Sequence, residues 1–173
     1  AAISAAEKND VVVMLKDIPL SATVTVGTDK QLTLDLNGYT ITGSGNFTIL
    51  INNGVLTLKD SKGQGGISSD SNVPVAVGSN STTTIESGTY TGREGAVITG
   101  RSVGATINIQ GGTFKATDNA VIAGNGSDRT GAGNTINISG GTFEGGIITD
   151  GYVACGIYAP WKDTFNITGG TFT

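Results

Sequence analysis

The nonapeptide Thr106-Ile-Asn-Ile-Gln-Gly-Gly-Thr-Phe114 returns as Thr135-Ile-Asn-Ile-Ser-Gly-Gly-Thr-Phe143 and again as Thr164-Phe-Asn-Ile-Thr-Gly-Gly-Thr-Phe172. Three near-copies limit the possible folds more than composition does, because each unit must then bury its apolar face against its neighbours. A divergent copy, Thr82-Thr-Thr-Ile-Glu-Ser-Gly-Thr-Tyr90, precedes them, and earlier relatives begin near Val55, Thr33 and Val11. The starts at 11, 33, 55, 82, 106, 135 and 164 are 22, 22, 27, 24, 29 and 29 residues apart. Variable steps with constant motifs place the length differences in loops.

Within one unit, three strand-like pieces (Thr106 to Ile109, Thr113-Phe114 and Ala120 to Ala123) are separated by Gly-Gly and by Thr117-Asp-Asn119. None is long enough for a helix. Alternation puts Ile107 and Ile109 on one face and Thr106 and Asn108 on the other, the period of a strand buried on one side. The same offsets pick out Leu34/Leu36, Leu56/Leu58, Ile136/Ile138 and Phe165/Ile167. A further column, Ile41, Tyr90, Phe114, Phe143 and Phe172, is preceded by Thr each time and is expected to fill a narrow core. Burying each such side chain contributes on the order of 2 to 3 kcal/mol. With 28 Gly in 173 residues and 6% aromatics, composition suits tight corners and short strands.

These observations predict an all-β chain: a single-stranded right-handed parallel β-helix of about seven coils, roughly 30 Å long at about 4.8 Å per coil. Residues 1–10 form an N-terminal cap and 11–173 the solenoid. Ala1 to Lys8 has helix-favouring composition, and a short helix there is expected to cover the open first coil. Thr171-Phe172-Thr173 ends inside a repeat, from which a fragment of a longer chain, or an end covered by another subunit, is expected.

Glu7-Lys-Asn-Asp-Val-Val-Val-Met-Leu-Lys-Asp17, Leu32-Thr-Leu-Asp-Leu-Asn-Gly38 and the Gly-Gly-Thr-Phe copies together resemble a known kind of repeat. They are similar to the non-catalytic right-handed β-helix repeats, of pectate-lyase-like architecture, in large surface proteins of Gram-positive gut bacteria and in phage fibres and decoration proteins. The resemblance runs over nearly the whole chain and implies an extracellular setting on a virion or bacterial cell surface. The same architecture carries lyases, hydrolases and adhesins, so it is specific for fold and not for function. Virion fibres of this fold are often trimeric, which makes a homo-oligomer an expected form.

The net charge is -4 with no basic block, which argues against nucleic acid as a partner. No apolar run approaches the roughly 20 residues of a membrane span, so no membrane insertion is expected. The absence of His removes imidazole metal ligands and any Ser-His-Asp triad, and no metal or other cofactor is expected. A calcium-assisted polysaccharide lyase needs several carboxylates on one face, but alignment of the units sets Asp35 over Thr57, Thr84, Asn108, Asn137 and Asn166. Asp60 and Glu86 in adjacent units are the nearest approach to a glycosidase pair, with an exposed polar edge as the simpler reading. Arg93-Glu94 and Arg101 extend that edge as a surface ion pair.

Contact candidates are of two kinds. Asn108, Asn137 and Asn166, beside Thr106, Thr135 and Thr164, form a regular outward array that suits sugar hydroxyls or ice, against the simpler reading of a solvated β-face. The array is interrupted by Val55 and Asp35. Loops 124–134, 144–152 and 159–163 carry Arg129, Tyr152, Tyr158 and Trp161; the aromatic three suit stacking on sugar rings, or covering the end of the core. Cys155 reads as a buried thiol, and Gly63-Gln-Gly-Gly66 and Gly124-Asn-Gly126 as turns. The acceptor-like triplets at Asn46, Asn80, Asn125, Asn137 and Asn166 are expected by chance. The resulting expectation is a non-enzymatic structural or adhesive module whose partners are surface glycans or other virion or cell-surface proteins. A polysaccharide lyase or hydrolase, or its glycan-binding part, is the alternative, and an ice-binding protein the third.

Overall fold

Strands of two to five residues cannot satisfy their own backbone, so each must find its hydrogen-bond partners in another winding of the chain. The structure, a computed structural model, describes residues 2–45, 48–100, 102–118, 120–124, 133–146, 156–158 and 162–173. Sheet A contains Asp10–Val13, Gln31–Asp35, Val55–Lys59, Thr82–Ile85, Thr106–Ile109, Thr135–Ile138 and Thr164–Ile167 in that spatial order. Sheet B contains Ile18–Leu20, Thr40–Gly43, Gly66–Ser69, Thr89–Gly92, Thr113–Ala116, Thr142–Glu144 and Thr171–Phe172. Sheet C adds six strands, Val24–Val26, Leu50–Asn52, Val75–Val77, Val97–Gly100, Ile122–Gly124 and Ile157–Tyr158. All pairings are parallel, and the three sheets wind into a β-solenoid.

The register confirms the columns from Val55 onward: Thr82, Thr106, Thr135 and Thr164 follow one another, as do Asn108, Asn137 and Asn166. For the earlier units it corrects the alignment by two residues. Gln31 lies over Val55 and Thr33 over Thr57, so Asp35 meets Lys59 and not Thr57. Leu32 and Leu34, not Leu34 and Leu36, are the counterparts of Ile107 and Ile109. A slip of two preserves the face of every side chain, which is why alternation alone could not detect it. Leu36 is nonetheless fully buried, just beyond its strand.

Sheet B supplies the ring column. Ile18, Ile41, Ile67, Tyr90, Phe114, Phe143 and Phe172 are successive Cα partners, so the expected ladder stands with Ile18 and Ile67 added to it. The four rings stack nearly parallel, with centroids 5.2, 5.0 and 4.6 Å apart. Tyr90, Phe114 and Phe143 are wholly buried, whereas Phe172 at the end of the sheet is 39% exposed. Tyr90 keeps its hydroxyl inside by donating to Ser87 O at 2.9 Å, and burial, followed by the nearby Asp60 charge, pushes the phenol above its ordinary pKa.

The Gly-Gly corners use their two glycines differently. The second, at Gly112, Gly141 and Gly170, has φ near +105°, which a side chain disfavours. The first lies against the winding before it: a Cβ on Gly111 would fall 2.6 Å from Glu86 O, and one on Gly140 would collide with Gln110 O. Gly63 also has a positive φ, consistent with its turn, whereas Gly124 ends a sheet C strand.

The N-terminal helix is shorter than expected, Ala2–Ala5, with a turn at Lys8 and Asn9. Ile3 packs on the core and Ala6 is buried, yet the cover is partial. A cavity of about 390 Å³ remains at this end, and Val13, Leu15 and Ile18 are exposed around it.

Candidate functional site

The outward face of sheet A carries the array singled out from sequence. Its inner column is Val11, Thr33, Thr57, Thr84, Asn108, Asn137 and Asn166, and its outer one Gln31, Val55, Thr82, Thr106, Thr135 and Thr164. Val55 interrupts the outer column as expected, but Asp35 belongs to neither. The Asn side chains bond to one another along the rod. Asn166 Nδ2 donates to Asn137 Oδ1 at 2.8 Å, Asn137 Nδ2 to Asn108 Oδ1 at 2.8 Å, and Asn108 Nδ2 to Thr84 Oγ1 at 3.4 Å. An amide offers two N–H donors and an oxygen with two lone pairs, so Asn137 spends one donor and one acceptor site inside the ladder. The array is therefore first a strut between windings and only with its remaining valences a surface for a ligand.

Because Asn137 bonds on both sides and is half-buried, Asn137→Ala is expected to cost about 1–2 kcal/mol of unfolding free energy. Urea denaturation monitored by circular dichroism measures it. A loss below about 0.3 kcal/mol would mean that the ladder amides exchange freely with water.

The carboxylates follow a different logic, at the corner between sheets A and B. Asp60 is buried, and its Oδ1 accepts from Gly38 N–H at 2.7 Å and Lys62 N–H at 3.3 Å, while Oδ2 accepts from Gly65 N–H at 2.6 Å. Its own N–H donates to Ser87 Oγ at 2.8 Å. Asp35 returns the contact: its Oδ1 accepts from Asn37 N–H at 2.9 Å and from Ser61 N–H, one winding on, at 3.1 Å. The pair makes a reciprocal clip between two windings. Glu86 is exposed, so the expected pair with Asp60 is divided between a buried corner and the outside.

The fold also alters the ionisation of Asp35. Burial raises its pKa, but the Ser61 and Asn37 amides, the Ser61 hydroxyl and Lys59 Nζ at 3.7 Å together hold it below the ordinary value. A carboxyl depressed on folding stabilises the protein above its unfolded pKa of about 3.9, and that contribution disappears as pH falls through the folded value. Asp35→Asn should therefore lower Tm at pH 6 and leave the gap to the parent protein narrowed at pH 2. A gap constant from pH 6 to pH 2 would contradict this.

The remaining candidates divide by position. Tyr158 stands on sheet C over Ala123 and is 45% exposed. Tyr152, Trp161 and Arg129, with Cys155, Arg101, Asn46 and Asn125, lie outside the described residues. Arg93 pairs with Asp118 of the next winding, and not with Glu94, through its Nε. Lys115 and Glu144, Cα partners on sheet B, form a further ion pair between windings at 2.8 Å. Asn80 is exposed in a turn at φ 57°, whereas Asn137 and Asn166 are held in the amide ladder.

Two buried polar knots have no counterpart in the sequence reading. Asn52 Nδ2 donates to Thr83 Oγ1 at 2.8 Å and to Thr82 O at 2.9 Å, and its Oδ1 accepts from Gly54 N–H. Asn134 Nδ2 donates to Ser102 O and Asp163 Oδ1, and its Oδ1 accepts from Ala105 N–H. Thr83 within the apolar column Leu56, Thr83, Ile107 was the available signal for the first. Among the described residues, no three Cys, Asp or Glu side chains gather as a metal-binding group, and no helix is long and apolar enough to cross a membrane. Comparisons with protein-family models, with curated proteins and with solved structures find no match to this chain.

Proposed function

We propose that this chain is a non-enzymatic structural and adhesive module that projects from a virion or a bacterial surface and carries attachment loops on a rigid rod. The observation that supports this reading is the unbroken register: sheet A pairs strand by strand from Asp10–Val13 to Thr164–Ile167, with like residues stacked and the corner carboxylates spent on backbone amides. Such a rod keeps its loops at fixed intervals, and loops on a rigid scaffold are where recognition concentrates. The likeness of its repeats to those of bacterial surface proteins and phage fibres favours glycans or neighbouring surface proteins as partners, with copies of the chain side by side as an assembled form.

The test is a panel of acidic and neutral surface polysaccharides, scored for both retention and cleavage. The expected result is retention of at least one polymer with its size distribution unchanged. Appearance of new chain ends, abolished by Glu86→Gln in a protein of unchanged Tm, would replace this reading with that of a lyase or hydrolase.

A further inference from the structure

The N-terminal end of the rod holds a pocket that the proposed scaffold role does not require. It is floored by Leu34, Ile41 and Leu50, all buried, and walled by Val12 and Val24. Its volume of about 390 Å³ lies within the span of small-molecule sites, roughly 300–1,000 Å³. Among the described residues lining it, Lys16 alone is charged; the others are apolar.

We propose that this pocket binds a free single-chain fatty carboxylate, with the hydrocarbon inside the first winding and the head group at Lys16. An apolar floor selects the chain, and the single cation at the mouth selects an anion over a neutral or cationic head. The roof decides between this ligand and a strand of another molecule. Asn9 N–H donates to Gln31 O at 2.7 Å and Lys30 Nζ to Ala6 O at 2.9 Å, pinning the segment that bears helix Ala2–Ala5, and Ile3 packs on the core. A strand laid over Ala2–Ala5 would have to displace that roof. One hydrocarbon chain enters beside it.

The test titrates the chain, below micelle concentrations, with saturated carboxylates of ten, twelve and fourteen carbons, and with dodecanol, by calorimetry. Affinity is expected to rise about fourfold per added methylene until the pocket is filled, and dodecanol to bind more weakly than dodecanoate. Lys16→Gln should remove that preference and keep the dependence on chain length. Ala2→Trp, at an exposed roof position, should abolish binding with Tm unchanged or raised. Absence of saturable binding, or full binding in Ala2→Trp, would overturn the proposal. So would binding to vesicles of anionic phospholipid without binding to the monomeric carboxylates. Sedimentation that shows a dimer lost in Ala2→Trp would assign the opening to a second copy and overturn it as well.

Discussion

Phe143→Ala is expected to lower the unfolding free energy by about 3–5 kcal/mol. Phe143 is wholly buried, with Phe114 at 5.0 Å on one side and Phe172 at 4.6 Å on the other. The void left by an Ala cannot collapse, because the windings above and below are held at strand spacing by the backbone bonds of three sheets. Phe172→Ala, with one stacked neighbour and partial exposure, should cost less, about 1–2 kcal/mol. In a solenoid each winding contacts only its neighbours, so Phe143→Ala should also let the C-terminal windings melt ahead of the rest. Urea unfolding followed by tyrosine fluorescence and by circular dichroism would then give separate transitions. Equal costs at Phe143 and Phe172 would contradict the column.

The second large effect belongs to Asp60. Asp60→Ala leaves the amides of Gly38, Lys62 and Gly65 without their acceptor in a buried corner, at an expected cost of about 3–5 kcal/mol. Asp60→Asn should cost about 2 kcal/mol, since one oxygen remains while the new NH₂ faces an amide donor. Glu86→Gln, on the solvent side of the same corner, should stay within about 0.5 kcal/mol. Equilibrium unfolding of the three variants checks the order. Were Asp60→Ala to leave stability intact, the corner carboxylate would be free, and a catalytic role for it would regain force.

The fold was legible where repeats are near-identical. Thr106 to Phe114 and its two successors stated strand, corner and ring column outright, and each piece lies where alternation put it. The first unit lies on the second as expected, Val11 over Thr33, but the second was legible on the third only in face, not in register, because Leu-Thr-Leu-Asp-Leu offers two alignments of equal hydrophobic pattern, two residues apart. What separates them is Asp35, which bonds to Ser61 N–H and Lys59 only in the register observed. The corner clip was invisible because it depends on backbone amides, and Asp60 looks in sequence like any surface acid. The Asn array was legible as an outward column, whereas the bonds within it, amide to amide one strand apart, were not. The incomplete N-terminal cover was hidden because composition predicts a helix and not how much of the core end it reaches.

Selective labelling of Phe and Tyr rings and a search for through-space magnetisation transfer between them addresses the stacking of windings most directly. Contacts are expected from Tyr90 to Phe114, Phe114 to Phe143 and Phe143 to Phe172, with none from Tyr90 to Phe143. Rings of Phe114 and Phe143 that exchange no magnetisation would contradict the stacking.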